Sequence, residues 1–275
     1  MQIFDTLLVH PLINILVAIY QILTYFHISN ALGFSIILIT VLIRFILYPF
    51  TVSQIKASQK MQNVQPHINR LKEKHKSDPK RMQQEQMALF KEHGINPAAG
   101  CLPSLIQIVI LLFGFYPAIQ KVINLKPKET ILVINKILYF DFLKLNHAWD
   151  TNFLGLPLGK TPGELFQSIG FLIVLIPIIT ALLQFIQTKM TIIPPVADEV
   201  AMPKKQEPDF AKTMQSQMLY MMPVIIGVVS YQFSIGLSLY WNTYTIFGII
   251  QQYQMQGLGG LSDWVKKLES LKSGK

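Results

Sequence analysis

The chain has 275 residues, 51% of them hydrophobic and only 14% charged, with a formal net charge of +9 and a mean hydropathy of +0.38. Roughly 25% of the residues in an average soluble domain are charged, so this composition excludes an ordinary water-soluble globule and points to a membrane. One cysteine in the whole chain excludes an internal disulfide and is, alone, a poor metal site.

Residues 1–28 come first and are apolar with a narrow polar stripe. Thr6, His10, Asn14, Gln21 and Thr24 fall within about 80° of one another on a helix. The stretch holds Asp5 but no Lys or Arg, so it lacks the positive start of a secretory signal. A helix lying in the membrane interface is the expectation, with a further span as the alternative.

Residues 31–53 form the first predicted span. Near its middle, TVLIRFILYPF (40–50) places Arg44 in an almost wholly apolar run. A charge at the bilayer centre costs from about 2.5 to more than 10 kcal/mol, and is tolerated where it faces protein or a water-filled cavity. Snorkelling is the bland reading: the polar end at Gln54 lies roughly 15 Å away along the helix. The alternative is a hydrated cavity inside the protein.

Residues 54–97 carry nine Lys or Arg and four acids, a net of 9 − 4 = +5, which places this loop in the cytoplasm by the positive-inside rule. Met61, Val64, Ile68 and Leu71 recur at helical seam spacing. Ser77, Asp78 and Pro79 offer a turn and a cap, and Gly94 a stop. A basic helical hairpin is therefore expected, suited to a ribosome, a targeting factor or anionic lipid.

Four more spans follow at 98–123, 165–188, 214–233 and 235–253, separated by an extracytoplasmic segment (124–164), a cytoplasmic loop (189–213) and a tight turn. Residues 254–275 form a basic cytoplasmic tail, and the N-terminus lies outside. Pro49, Pro103, Pro117, Pro177 and Pro223 would break soluble helices, whereas neighbouring helices in a membrane satisfy the freed groups.

Polar residues recur within these spans: Thr40, Arg44 and Thr51 on the first, Gln107 on the second, Thr180, Gln184 and Gln187 on one face of the third, and Asn242, Thr243 and Thr245 on the fifth. One such amide would be an ordinary interhelical bond of about 0.6 kcal/mol. Several of them together with a cation indicate a hydrated cavity. All fifteen acids lie in termini or loops, which argues against a proton-coupled transporter. There is no HExxH or GxSxG sequence. Cys101 reads as a small packed residue.

TVLIRFILYPF, KMQNVQPHINRLKEKHKSD, ALFKEHGINPAAGCLPSLIQI, MMPVIIG and IGLSLYWNTYTIFGIIQQY together resemble the YidC-type membrane protein insertases and their Oxa and Alb relatives. The resemblance runs from about Pro11 to Tyr253. It implies an all-α polytopic membrane protein in which five transmembrane helices surround a hydrophilic groove, with an N-terminal interfacial amphipathic helix and a cytoplasmic helical hairpin. It puts the groove's arginine at Arg44, its threonine at Thr40, its glutamine at Gln107 and its aromatic pair at Tyr240 and Trp241. Gln184 and Gln187 join them only through the face shared with Thr180.

The implied function is insertion of newly made hydrophobic segments into the plasma membrane of a bacterium, without enzymatic chemistry, cofactor or metal. The implied partners are nascent membrane proteins and the lipid bilayer, with the ribosome, the signal recognition particle pathway and the Sec translocon as further candidates. A folding chaperone that binds spans without inserting them is the rival reading. The large periplasmic domain of Gram-negative members is missing, the tail is short, and the resemblance gives residues 124–164 no role.

Overall fold

The computed structural model describes residues 2–75, 78–95, 109–124, 127–191 and 210–272. The start of the second predicted span, with Cys101, Pro103 and Gln107, lies outside the described residues, as does most of the 189–213 loop. The described residues are mostly helical and fall into two compact units, Met1–Phe45 with Ile110–Lys275, and Ile46–Val109.

In the larger unit, helix α1 (Asp5–Tyr25) begins with a π-helical turn over Asp5–Val9. It buries Val9, Ile13, Leu16, Val17 and Tyr20 along one face. Its polar stripe meets the chain between residues 137 and 143. Asn14 Nδ2 donates to the Ile137 carbonyl (3.1 Å), Asn14 Oδ1 accepts from the Tyr139 amide (2.7 Å), and Gln21 Nε2 donates to the Leu143 carbonyl (2.7 Å). The stripe thus satisfies irregular backbone that would otherwise be unpaired. By length and apolarity α1 also meets the requirement for a membrane span.

Helix α2 (Ala31–Ile46) divides cleanly. Leu32, Gly33, Ser35, Ile36, Ile39, Thr40 and Arg44 are buried, while Phe34, Leu38, Leu42 and Phe45 face outward. A face of large exposed apolar side chains is unfavourable in water and natural in lipid. Ser35 and Thr40 return their hydroxyls to the carbonyls of Ala31 and Ile36 in their own helix.

Helix α3 (Tyr48–Lys74) and helix α4 (Pro79–Glu92) make up the second unit. Asp78 caps α4 by accepting from the Arg81 amide at 3.0 Å, and Gly94 closes it at a φ of 59°. Val64, Ile68, Phe90 and Ile95 form a small core with Met61 and Leu89 against it. Near the turn, the Glu85 carboxylate meets His75 Nε2 at 2.9 Å, Arg81 Nε at 3.4 Å and Lys74 Nζ at 3.9 Å. Desolvation pushes Glu85 up, but the His75 hydrogen bond and the charges of His75, Lys74 and Arg81 together outweigh it and hold the carboxyl below the usual carboxylate range.

Back in the larger unit, helix α5 (Leu111–Ile123) buries Phe115, Ala118, Ile119, Val122 and Ile123. Lys121 Nζ bonds Asp5 at 3.0 Å, joining α5 to the start of α1. Between α5 and the next long helix the chain folds into a cap over the helix ends. It contains helix α6 (Pro127–Asn135) and a two-residue hairpin of β1 (Asn152–Phe153) and β2 (Leu156–Pro157). Leu154 and Gly155 turn that hairpin at φ 49° and 83°, the left-handed pair that matches strand twist. Asn30 Oδ1 supports the strained Leu154 by accepting from its amide. Trp149 is buried and donates to the Val122 carbonyl at 3.0 Å.

Helix α7 (Pro162–Thr191) starts with a capping box between Thr161 and Glu164 and changes to a 3-10 turn at Gly170. Helix α8 (Phe210–Ser230) and helix α9 (Ile235–Gln256) follow, and both pack on α7. The first amides of α9 have no partner inside the helix. The cap supplies carbonyls for two of them: Ile235 donates to Lys160 and Gly236 to Leu158, each at 2.8 Å. Helix α10 (Ser262–Lys272) ends the described chain. By length and composition, two described helices, α1 and α7, could each cross a membrane unaided.

Two measurements check this packing. A Cβ at Gly33 would fall inside the Phe153 ring, which stacks edge-on against Phe34. Gly33→Ala should therefore lower stability in detergent by about 1–3 kcal/mol through overpacking, and Phe153→Leu in the same chain should relieve part of that loss. For the hairpin, a depressed Glu85 pKa means that its stabilising contribution is present above the unfolded carboxylate pKa and is lost as pH falls through the folded one. Amide protection in α3 and α4 should accordingly decline on acidification through that lower range, and Glu85→Gln should remove that decline.

Candidate functional site

Arg44 sits near the last turn of α2 on its buried stripe and is 4% exposed. Its guanidinium lies against α9. Nη2 donates to the Tyr244 carbonyl at 2.7 Å, Nη1 donates to Gln251 Oε1 at 3.3 Å, and Cζ stands 3.5 Å from the centre of the Tyr244 ring. Gln251 Nε2 in turn donates to the Arg44 carbonyl at 3.4 Å. Nε is buried with no hydrogen-bond partner. Among the described residues no carboxylate pairs with Arg44.

These contacts leave the charge under-compensated. A desolvated cation–π contact contributes about 2 kcal/mol, and each hydrogen bond to a charged group about 1.5–3 kcal/mol. Together they match only the lower part of the cost of a charge at membrane depth, and the orphaned Nε subtracts about 1–3 kcal/mol. An acceptor carrying a full negative charge is what the guanidinium lacks.

Gly248 makes the approach possible. A Cβ there would overlap both Nη2 of Arg44 and Nε2 of Gln187, so α2, α7 and α9 meet around a glycine that keeps the space open. Gln187 thereby comes beside Arg44. Gln184 takes a different partner, accepting from Trp241 Nε1 at 3.4 Å, and Trp241 is half-buried. Tyr240 is fully packed, its ring stacked on Phe115 at 4.5 Å and 5.9 Å from that of Tyr244. Thr40, one turn from Arg44, is buried with its hydroxyl bonded to its own helix. Gln107 lies outside the described residues.

The polar groups on α7 and α9 form a ladder. Ser230 at the end of α8 links the Thr180 and Ser238 hydroxyls at 3.3 and 3.4 Å. Gln184 and Trp241 form the next rung, Gln187 then packs against the bare backbone at Gly248, and Gln252 Nε2 donates to Thr191 Oγ1 at 3.1 Å. Interhelical bonds of this kind average about 0.6 kcal/mol. Each rung is weak enough to be exchanged for a bond to another chain.

The residues that complete the arginine's surroundings are Tyr244, Gly248 and Gln251, none of which was singled out from the sequence. Their signal was periodic: 240, 244, 248 and 251 lie on one helical face. Around Arg44 the sequence suggested an open wet cavity, whereas here the side chain is buried against α9.

The 60Kd inner membrane protein family matches residues 23–259. Membrane protein insertase MisCA of Bacillus subtilis is 31% identical over 258 residues, covering 92% of this chain and 79% of its own. Membrane protein insertase YidC 2 of Bacillus anthracis is 32% identical, covering 86% and 77%. Membrane protein insertase YidC of Rickettsia felis is 31% identical over 83% of this chain, which spans 36% of that longer protein.

Substitution tests the closeness of the packing. Gly248→Ala should cost about 1–3 kcal/mol of stability by displacing the guanidinium. In the Arg44→Ala background the same change should cost much less, a non-additivity that thermal unfolding of the four proteins in detergent would read.

Proposed function

The chain belongs to the 60Kd inner membrane protein family of YidC, Oxa and Alb insertases, and on that premise we propose that it guides newly made hydrophobic segments into the bilayer along a polar path at Arg44. The family is one of membrane protein insertases, not of enzymes. Its substrates are nascent membrane proteins and its medium is the lipid bilayer of a bacterial inner membrane.

The observation that carries the reading is a buried cation with an unpartnered Nε and no carboxylate among the described residues. We assign the missing anion to the substrate, as an acidic residue in the segment that must cross. In the resting state the Tyr244 carbonyl, the Gln251 amide and the Tyr244 ring hold the guanidinium. When α2 or α7 shifts away from α9, these partners are exchanged for the incoming carboxylate. Attraction between charges about 4 Å apart is worth about 1 kcal/mol in water and about 4 kcal/mol at an effective dielectric of 20. That favours entry without trapping the guest.

Thr40, Gln184, Gln187, Tyr240 and Trp241, with Gln107, complete the proposed groove. The rungs between α7 and α9 offer the guest's polar backbone a succession of exchangeable partners. The apolar segment then leaves sideways, driven by about 25 cal/mol for each Å² of apolar surface removed from water.

We further propose five spans, at 31–53, 98–123, 165–188, 214–233 and 235–253. The N-terminus lies outside and the C-terminus in the cytoplasm, following the basic 54–97 segment. We place α1 on the outer surface because its polar stripe bonds the backbone at 137–143. The basic hairpin of α3 and α4 is the surface assigned to delivery, whether from the ribosome, the signal recognition particle pathway or the Sec translocon.

Arg44→Ala should reduce insertion of single-span substrates with acidic outer tails several-fold, about tenfold if 1.4 kcal/mol is lost. Arg44→Lys should retain much of the activity, and substrates with neutral tails should respond less. Protease protection of substrate in proteoliposomes holding only the purified protein reads this, and also separates insertion from chaperoning. Undiminished insertion of acidic-tailed substrates by Arg44→Ala would remove the arginine from the mechanism.

A further inference from the structure

At the end of α1 the structure leaves a cleft of about 660 Å³ between the helix's last turn and the chain at 142–147. Its walls are fixed rather than loose. Gln21 ties α1 to the Leu143 carbonyl, and the Asn135 side chain bonds both the amide and the carbonyl of Leu145. His27 is held at a φ of 54°, in the left-handed region, by three successive backbone bonds from Phe26, His27 and Ile28 to the last turn of α1. The imidazole it presents to the cleft is therefore set by the backbone fold.

The chemistry of the cleft is mixed in a particular way. Lys144, His27 and His147 line it, and among the described residues neither imidazole has a side-chain hydrogen bond. Lys144 Nζ pairs with Asp141 at 2.5 Å, and that carboxylate is 92% exposed. Tyr25 and Phe142 line the cleft as well, each paired with a second ring, Tyr25 edge-on to Phe26 and Phe142 stacked on Phe140. They are among the most exposed large side chains of the unit, with Tyr25 at 79% and Phe142 at 75%.

Exposed aromatic rings flanking a polar cleft fit an amphiphile, with acyl chains beside the rings and a headgroup on the donors. A small soluble anion would leave the rings in water. The headgroup can be narrowed further. A purely anionic phosphate would bond Lys144 but oppose Asp141 beside it. A zwitterionic headgroup with a donor ammonium matches both, its phosphate on Lys144 and the imidazoles and its ammonium on Asp141. We propose that this cleft binds one molecule of phosphatidylethanolamine, with its acyl chains along Tyr25, Phe26, Phe140 and Phe142.

The test uses the full-length protein purified in detergent and titrated separately with phosphatidylethanolamine, phosphatidylglycerol and glycerophosphoethanolamine, with retained ligand counted by native mass spectrometry. One phosphatidylethanolamine should be held about tenfold more tightly than phosphatidylglycerol. Lys144→Ala should weaken it, and Asp141→Asn should abolish the preference between the two lipids. Both side chains are exposed, so thermal unfolding of these variants should match the parent. Arg44→Ala should bind the lipid as the parent does, which separates this site from the proposed groove. Equal retention of both lipids, unchanged binding by Lys144→Ala and Asp141→Asn, or equally tight binding of the acyl-free headgroup would each overturn the assignment.

Discussion

A guanidinium held at depth by neutral oxygens and an aromatic face is the interaction around which the larger unit is arranged. To bring Arg44 of α2 onto α9, the facing helix must offer a carbonyl that accepts a second bond, a ring in the right plane and an amide within reach, with no side chain between. Gly248 meets the last condition, and Tyr244 and Gln251 the others. Because lipid tails are as apolar as leucine, helices in a membrane gain little by hiding apolar surface from one another. Polar bonds and close packing decide which faces meet. The single arginine and the rungs of the ladder are therefore positional information as well as candidate chemistry.

The cap formed by the chain between α5 and α7 has a structural role that composition gave no hint of. It uses the polar stripe of α1, closes over Trp149 and supplies carbonyls to the first amides of α9. Irregular backbone is tolerated near a bilayer only where its polar groups are satisfied within the protein. Asn14, Gln21, Asn30 and Asn135 perform that task, each bonding main-chain atoms far from it or across a loop. These are amides whose partners are backbone groups, so no sequence pattern reveals the pairing.

What was legible in the sequence follows from the range of the interactions concerned. Helix limits set by local chemistry stand where the residues advertise them, as Asp78 and Gly94 bound α4. In the tight turn before the last span, by contrast, Ser234 acts as a cap, accepting from the Leu237 amide at the start of α9. Arg44 drew notice because a charge in an apolar run is anomalous wherever it points. Its partners drew none, because Tyr244 and Gln251 are unremarkable on a helix that also carries Asn242, Thr243 and Thr245. Only the register of α2 against α9 distinguishes them, and register is a long-range property. The family resemblance carries the function that no local pattern encodes, while the burial of the arginine against α9 depends on a register that no local pattern encodes either.

The tie between the cap and the helix starts constrains how the bundle can deform. Ile235 and Gly236 are anchored to the cap, and Gly163, just inside α7, donates to the Tyr231 carbonyl in the turn before α9. The starts of α7 and α9 are thus stitched together at one end, while the Thr191 and Gln252 rung joins them near the other. In the proposed insertion cycle, breaking the Thr191–Gln252 rung would let these helices part like the ribs of a fan, with negligible travel at the stitched rim and the widest gap at the opposite edge. A guest would then be admitted from one side only, and the seal on the other would persist throughout its passage.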